Sequence, residues 1–302
     1  MGDLPGTDSR IANHDRAMLA EHLDYLRMEG RAATTINARR QAVGRLARAL
    51  PCPILEAAYG DLLGWRSRLA VGPGTICCYV CHVHQFYCWA LASGRVPVNP
   101  AAGLPVPRLG RRLPRPVAAA ELFAALAAAP DRIRLWLVLA AWCGLRAKEI
   151  ALLRAENILL TAAPPALLVA ADATKGRHER LVPLSSFVTG EIEAAGLPRR
   201  GWCFLRRDGR PGPNTPTMVS QLASEHFRAC GSQATLHMLR HWFGTSAYAV
   251  HKDLRVVQEL MGHQHIGSTA GYADWSRAAA AETVEALPVP PRLRVVTGGD
   301  AC

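Results

Sequence analysis

The run "HMLRH" spans His237 to His241, and "LMGHQHIGSTAGY" follows at Leu260 to Tyr272. How these two runs are read decides whether the second half of the chain folds around a metal or around a phosphate. Two histidines four apart on a helix share one face, the spacing that a zinc-binding H-E-x-x-H uses. Here Met238 and Arg240 lie between them, and no glutamate is present to act as a base. A guanidinium beside a metal cation is repelled, whereas beside a phosphate it offers a planar fork of donors. His237, Arg240 and His241 sit at i, i+3 and i+4, so phosphate suits the set better than zinc. Taken alone, the motif fits a partly exposed helix with no site equally well.

At 302 residues, half of them hydrophobic, the chain is long enough for two globular domains. Lysine and arginine outnumber aspartate and glutamate by 35 to 24, a formal charge of +11. That excess favours a polyanionic partner, nucleic acid before an anionic membrane, with a solvated basic surface as the plain alternative. The opening "MGDLPGTDSR" has no basic start followed by an apolar core, and "LWLVLAAWCGL" is too short to span a bilayer. A cytoplasmic protein with no membrane segment is therefore expected, its nine cysteines reduced. In "CCYVCHVHQFYC", Cys77, Cys81, His84 and Cys88 recur at helical spacing. Zinc ligation is conceivable there, but no second, separated ligand pair exists, so packing in the core is favoured and no metal is expected.

Apolar periodicity predicts helices over roughly 14–29, 33–50, 54–70 and 74–92. Thr34 or Thr35 is the expected N-cap of the second helix, and Thr75 opens the fourth. The segment "SGRVPVNPAAGLPVPRLGRRLPRP" is dense in proline, glycine and arginine, which reads as a basic extended linker. Beyond it, helices are expected at roughly 118–129, 131–143, from about 146, and then near 185–195, 215–230, 235–250, 254–261 and 266–272. Two β-prone runs flank "TKGR", so a hairpin is expected with Gly176 in its turn. The fold class is mainly α: an all-α N-terminal domain over 13–94, a linker over 95–116, a mostly helical α+β domain over 117–286 with a small antiparallel sheet, and a tail over 287–302.

Further polar residues stand at marked places. "CGLRAKEIALL" puts Arg146 just after a glycine at a helix start, with Glu149 three residues on. "TKGRHERLVPL" puts Lys175 at the hairpin tip, and "LMGHQHIGSTAGY" puts His263 after a glycine and Tyr272 nine residues later. Together with "DLRVVQELMGHQHIGSTAGYADWS", these ordered motifs resemble the tyrosine recombinase, or phage integrase, family over nearly the whole chain. His265 and Trp275 are mild departures from the family's pattern that remove no catalytic group.

The resemblance implies a core-type DNA-binding domain, a linker and a catalytic domain in a compact Xer-like or integrase-type enzyme. It implies that Tyr272 is the nucleophile toward a DNA phosphodiester, giving a 3′-phosphotyrosine. A phenol with a pKa of roughly 10 needs help losing its proton, and His237 is the implied base or orienting group. Arg146, Arg240 and His263 are implied to hold the phosphate oxygens, and Lys175 to protonate the leaving 5′-oxygen; Glu149 supports an arginine or histidine. No cofactor is required. The implied partners are double-stranded DNA at a specific site and three further copies in a homotetramer that passes through a Holliday junction, with room for an accessory directionality factor. The implied location is the cytoplasm, on the nucleoid when bound to DNA. Arg39, Arg40 and Arg45 of the second helix are the expected DNA contacts. A type IB topoisomerase and a DNA-binding accessory protein without catalysis are the competing readings.

Overall fold

The computed structural model describes residues 11–110, 116–174, 178–206, 208–251, 253–262 and 277–289. The chain divides into two compact units, Met1–Arg112 and Leu113–Cys302. It is mainly helical in both, with one small antiparallel sheet in the second.

The first unit carries α1 (Asn13–Met28), α2 (Ala33–Ala49), α3 (Tyr59–Ser67) and α4 (Pro73–Ala92). α3 begins later than its apolar pattern predicts. Pro51 and Pro53 break the chain there, and Ile54 is fixed outside any helix: its N–H donates to buried Asp15 (3.0 Å), and its carbonyl accepts from Tyr87 (2.6 Å). Asp61 then caps α3 by accepting from the Ala58 N–H. The threonines expected as caps do not serve. Ala32 caps α2 without a side-chain bond, and α4 starts from Gly72 with Pro73 in its first turn, where a missing N–H costs nothing. Leu23, Val43, Leu46, Leu62, Trp65, Val83 and Phe86 form the core of this unit.

The expected core role of the α4 cysteines is corrected. The buried stripe is Ile76, Val80, Val83, Phe86, Tyr87 and Ala90, while Cys81 and Cys78 are exposed and Cys77 and Cys88 half-buried. Residues 77, 81, 84 and 88 lie one position round from that stripe, about 100° away on a helix of 3.6 residues per turn. Every described cysteine is free, and no group of three metal-ligating side chains occurs among the described residues. None of the described helices is long and apolar enough to cross a membrane. The Pro-rich segment after α4 is packed at its start: Val96, Ala101 and Leu104 join the core of the first unit, and the Pro105 and Pro107 carbonyls accept from Arg66 and Cys77.

The second unit is built around α6 (Asp131–Trp142), whose residues from Leu135 to Trp142 are all buried. A helix apolar on every face must be wrapped by others. α10 (Leu236–His251), α8 (Ser186–Ala194), α9 (Pro216–Ala229) and α5 (Ala119–Ala127) wrap it, with Trp142 packed on Phe187, Phe123 and Trp242. Arg134 also ties α6 to α8 through Nε and Nη2 bonds to the two carboxylate oxygens of Glu191. The sheet has three strands in the order β1 (Ile158–Leu159), β2 (Ala166–Val169), β3 (Arg180–Pro183), with Val169 opposite Arg180 where the β2–β3 hairpin opens toward its tip. Residues 175–177, expected at the hairpin tip, lie outside the described residues, as does the helix expected at 266–272.

Two short helices complete the frame: α7 (Ala147–Ala151), and α11 (Leu254–Met261), which Asp253 caps by accepting from the N–H groups of Arg255 and Val256. Finally α12 (Arg277–Glu285) packs on β3, α10 and α11 of the same unit. Val284 and Leu287 enter the core there, Glu285 accepts from the N–H and hydroxyl of Ser186, and Trp142 donates to the Pro288 carbonyl (3.0 Å).

Candidate functional site

The site is organised by two left-handed glycine turns. α6 ends at Cys143, and Gly144 adopts φ +61°, which lets the Leu145 N–H reach back to the Leu139 carbonyl (3.2 Å). The turn releases the chain so that Arg146 becomes the N-cap of α7. α11 ends in the same way at Gly262 (φ +62°), immediately before His263.

Arg240 joins the two turns. It lies on α10, is 2% exposed, and donates from Nη1 to the Gly144 carbonyl and from Nη2 to the Met261 carbonyl. The chain positions leading to Arg146 and to His263 are thereby tied to one guanidinium. Burial, and then the charge of Arg146, lower the Arg240 pKa to about 9, with Glu149 acting in the opposite direction. It remains protonated at neutral pH.

Glu149 anchors the other cations. The carboxylate is 2% exposed and accepts from the Arg146 N–H (2.9 Å) and Arg146 Nη1 (2.8 Å). It also accepts from Arg180 Nη1 (3.0 Å) and Nη2 (2.8 Å). Burial is the largest single influence and pushes its pKa up, but the Arg180 bonds and charge, the Arg146 N–H and the charge of Arg240 together hold it below the usual carboxylate range. Arg146 itself keeps 31% of its side chain exposed, so it is the accessible cation of this group.

His237 stands in the first turn of α10, one turn before Arg240, and is exposed. Its ring meets His241 edge-on with centroids 4.5 Å apart. Lost hydration on the packed side, then the charges of His241, Arg240 and Arg146, lower its pKa. The ring is thus neutral near pH 7 and able to accept a proton.

The structure therefore brings Arg146, Glu149, His237 and Arg240 into one neighbourhood. Lys175, His263 and Tyr272 lie outside the described residues. Sequence reasoning missed Arg180; the available signal was an arginine heading an apolar strand just past the hairpin tip, where a charged side chain facing inward needs a partner. On α2, Arg40 and Arg45 are exposed, Arg45 lying 5.2 Å above the Tyr79 ring. Arg39, expected to face DNA with them, is turned inward: it is 7% exposed, with Nε donating to His82 (3.1 Å) and Nη1 meeting His22 (3.2 Å).

The chain is similar to known proteins in sequence and in fold. The sequence profile described as the phage integrase family matches residues 116–278. Tyrosine recombinase XerC of Xylella fastidiosa is 32% identical over 205 residues, 62% of this chain and 65% of that protein. Tyrosine recombinase XerD of Caulobacter vibrioides is 32% identical over 238 residues, 72% of this chain and 75% of that protein. Over the matched region the chain thus spans just under two thirds of the length of that XerC relative. Among solved structures, the integrase from mycobacterium phage Brujita is 28% identical with a TM-score of 0.52, covering 94% of this chain and 96% of that one. A lambda integrase dimer bound to a COC′ core site has a TM-score of 0.67 over 86% of this chain and 99% of that one. At 17% identity this second likeness speaks for the fold alone.

Proposed function

The chain belongs to the phage integrase family, and from that premise we propose that it is a site-specific DNA recombinase that cuts and rejoins strands through a 3′-phosphotyrosine. The observation that carries the reading is Arg240, whose two carbonyl partners draw the turn before Arg146 and the turn before His263 to one point beside His237.

The chemistry follows from those groups. Tyr272 attacks the phosphorus of a scissile phosphodiester, the bond to the 5′-oxygen breaks, and a phosphotyrosine and a free 5′-hydroxyl result. His237 takes or steers the phenol proton, for which a neutral imidazole is required. Lys175 supplies a proton to the departing 5′-oxygen. Arg146 meets the non-bridging oxygens with its exposed guanidinium, Arg240 presents the donors its backbone bonds leave over, and His263 adds another. Fixed donors aimed at developing charge are worth ~3–4 kcal/mol each in comparable sites. The ester conserves the phosphodiester bond energy, so a 5′-hydroxyl from a partner strand reverses the attack with no cofactor.

The N-terminal unit is the proposed core-site binder, with Arg40 and Arg45 directed at phosphates and Arg39 holding α2 against α1 and α4 instead. Phosphate contacts of this kind make binding salt-dependent. A homotetramer on paired sites, acting in the cytoplasm, completes the proposal, together with an accessory factor where direction must be set. Its division into an N-terminal DNA-binding domain, basic linker, catalytic domain and tail belongs to the same reading. The proposal includes that each protomer lends α12 to its neighbour, which requires this helix to leave the seat it holds on its own unit.

A suicide substrate carrying the cognate site tests the proposal. Tyr272 is expected as the covalently linked residue, Tyr272→Phe should bind the DNA without forming an adduct, and two site-bearing duplexes should yield joined products. An adduct on another residue would refute the assignment. Relaxed circles without joined products would point to a topoisomerase.

A further inference from the structure

Resting on the reading above, we propose that Arg180 is a positioning residue that keeps Arg146 cationic toward the substrate by taking up the negative charge of Glu149. A carboxylate that holds an arginine also cancels its charge, and a neutral Arg146–Glu149 pair would attract a phosphate only weakly. Arg180 supplies the missing positive charge: its side chain is 9% exposed, and its fork meets both oxygens of Glu149. Each carboxylate oxygen then accepts once from Arg146 and once from Arg180. One carboxylate between two guanidinium groups leaves a net charge of about +1, and the exposed end of it is Arg146.

The same side chain sets geometry elsewhere. Its Nε donates to the Leu260 carbonyl (3.0 Å), and a Cβ on Gly262 would sit 3.1 Å from its Cδ. Arg180 thus lies against the turn that leads to His263. It also stands five residues beyond Lys175 on the strand leaving the hairpin tip. One guanidinium therefore braces the two segments that lead to Arg146 and to His263, both proposed phosphate ligands.

The test separates charge from scaffolding. Arg180→Met should slow single-turnover cleavage of the suicide substrate by about tenfold or more while site binding stays within about twofold. Adding Glu149→Gln to Arg180→Met should recover part of that loss, because a neutral amide no longer cancels Arg146. A purely structural Arg180 predicts the reverse, a double variant no better than Arg180→Met. Should Arg180→Met fail to fold, Arg180→Lys carries the comparison: it keeps the charge and loses the fork, so near-wild-type cleavage is expected here and a clear loss is expected of a scaffold. A readout independent of strand cleavage is titration with inorganic phosphate, followed by the Arg146 Nε–H resonance in NMR. Phosphate should shift it in the wild type, less in Arg180→Met, and again in the double variant. Equal phosphate affinity in all three, or wild-type cleavage by Arg180→Met, would overturn the proposal. A wild type that forms no adduct sinks the recombinase reading instead, and the phosphate titration still decides the role of Arg180.

Discussion

Acid should loosen the N-terminal unit, and His22 sets the size of the effect. This ring is 1% exposed, packed against Phe86 and Trp89, with Nε2 facing Arg39. Burial first, then the Arg39 charge, lower its pKa from 6.5 to about 4, with Glu29 pulling weakly the other way. The folded unit therefore binds fewer protons than the unfolded chain between those two values, and its stability falls as pH drops through that window. At ~1.4 kcal/mol per unit, the full loss is about 3 kcal/mol, complete below the folded value and absent above the unfolded one. His82 also titrates low, through burial and then Arg39, and adds a smaller slope of the same sign. Hydrogen exchange of the α1, α2 and α4 amides in the intact protein, followed from about pH 7 to about pH 4.5, isolates this unit from the other. His22→Gln keeps an acceptor for Arg39 and cannot titrate, so most of the slope should vanish. A slope unchanged in that variant would refute the reasoning.

Other outcomes follow from single contacts. Gly144→Ala combines a left-handed φ with a Cβ 2.5 Å from the Phe243 ring, and should cost ~2 kcal/mol or more in urea unfolding. Gly244→Ala meets the flexible Met261 sulfur at 2.7 Å and should cost clearly less in the same assay. His241→Gln removes one of the charges that lower the His237 pKa, so the acidic limb of the single-turnover pH profile should move upward while the plateau is kept. Glu285→Ala, which frees Ser186 from α12 without emptying the core, should increase protease cleavage around residue 276 in the DNA-free protein.

Periodicity located the helices because burial selects apolar faces, and it failed where single contacts override it. Ile54 looked like a helix start until its N–H and carbonyl were claimed by Asp15 and Tyr87, residues 39 and 33 positions away. The α4 cysteines are expected in the core because cysteine packs as a small hydrophobe and no second ligand pair stands apart from them, but a helical spacing fixes a stripe and not which stripe turns inward. Phe86 and Tyr87 decide that with far more apolar surface. Arg39 is expected to face DNA with Arg40 and Arg45 because α2 is rich in arginine; only the fold brings His22 and His82 within reach to accept its hydrogen bonds. The same limit governs the site. Arg146, His237 and Arg240 were legible because each stands in an ordered local motif. Arg180 was not: its place at the head of an apolar strand marks only a charge in need of a partner, and its function exists only when β3, α7 and the end of α11 converge, so that one side chain satisfies Glu149 and the Leu260 carbonyl together. A cation that touches substrate announces itself by chemistry at a loop or helix start. One that regulates the charge of its neighbour is visible only through the carboxylate they share.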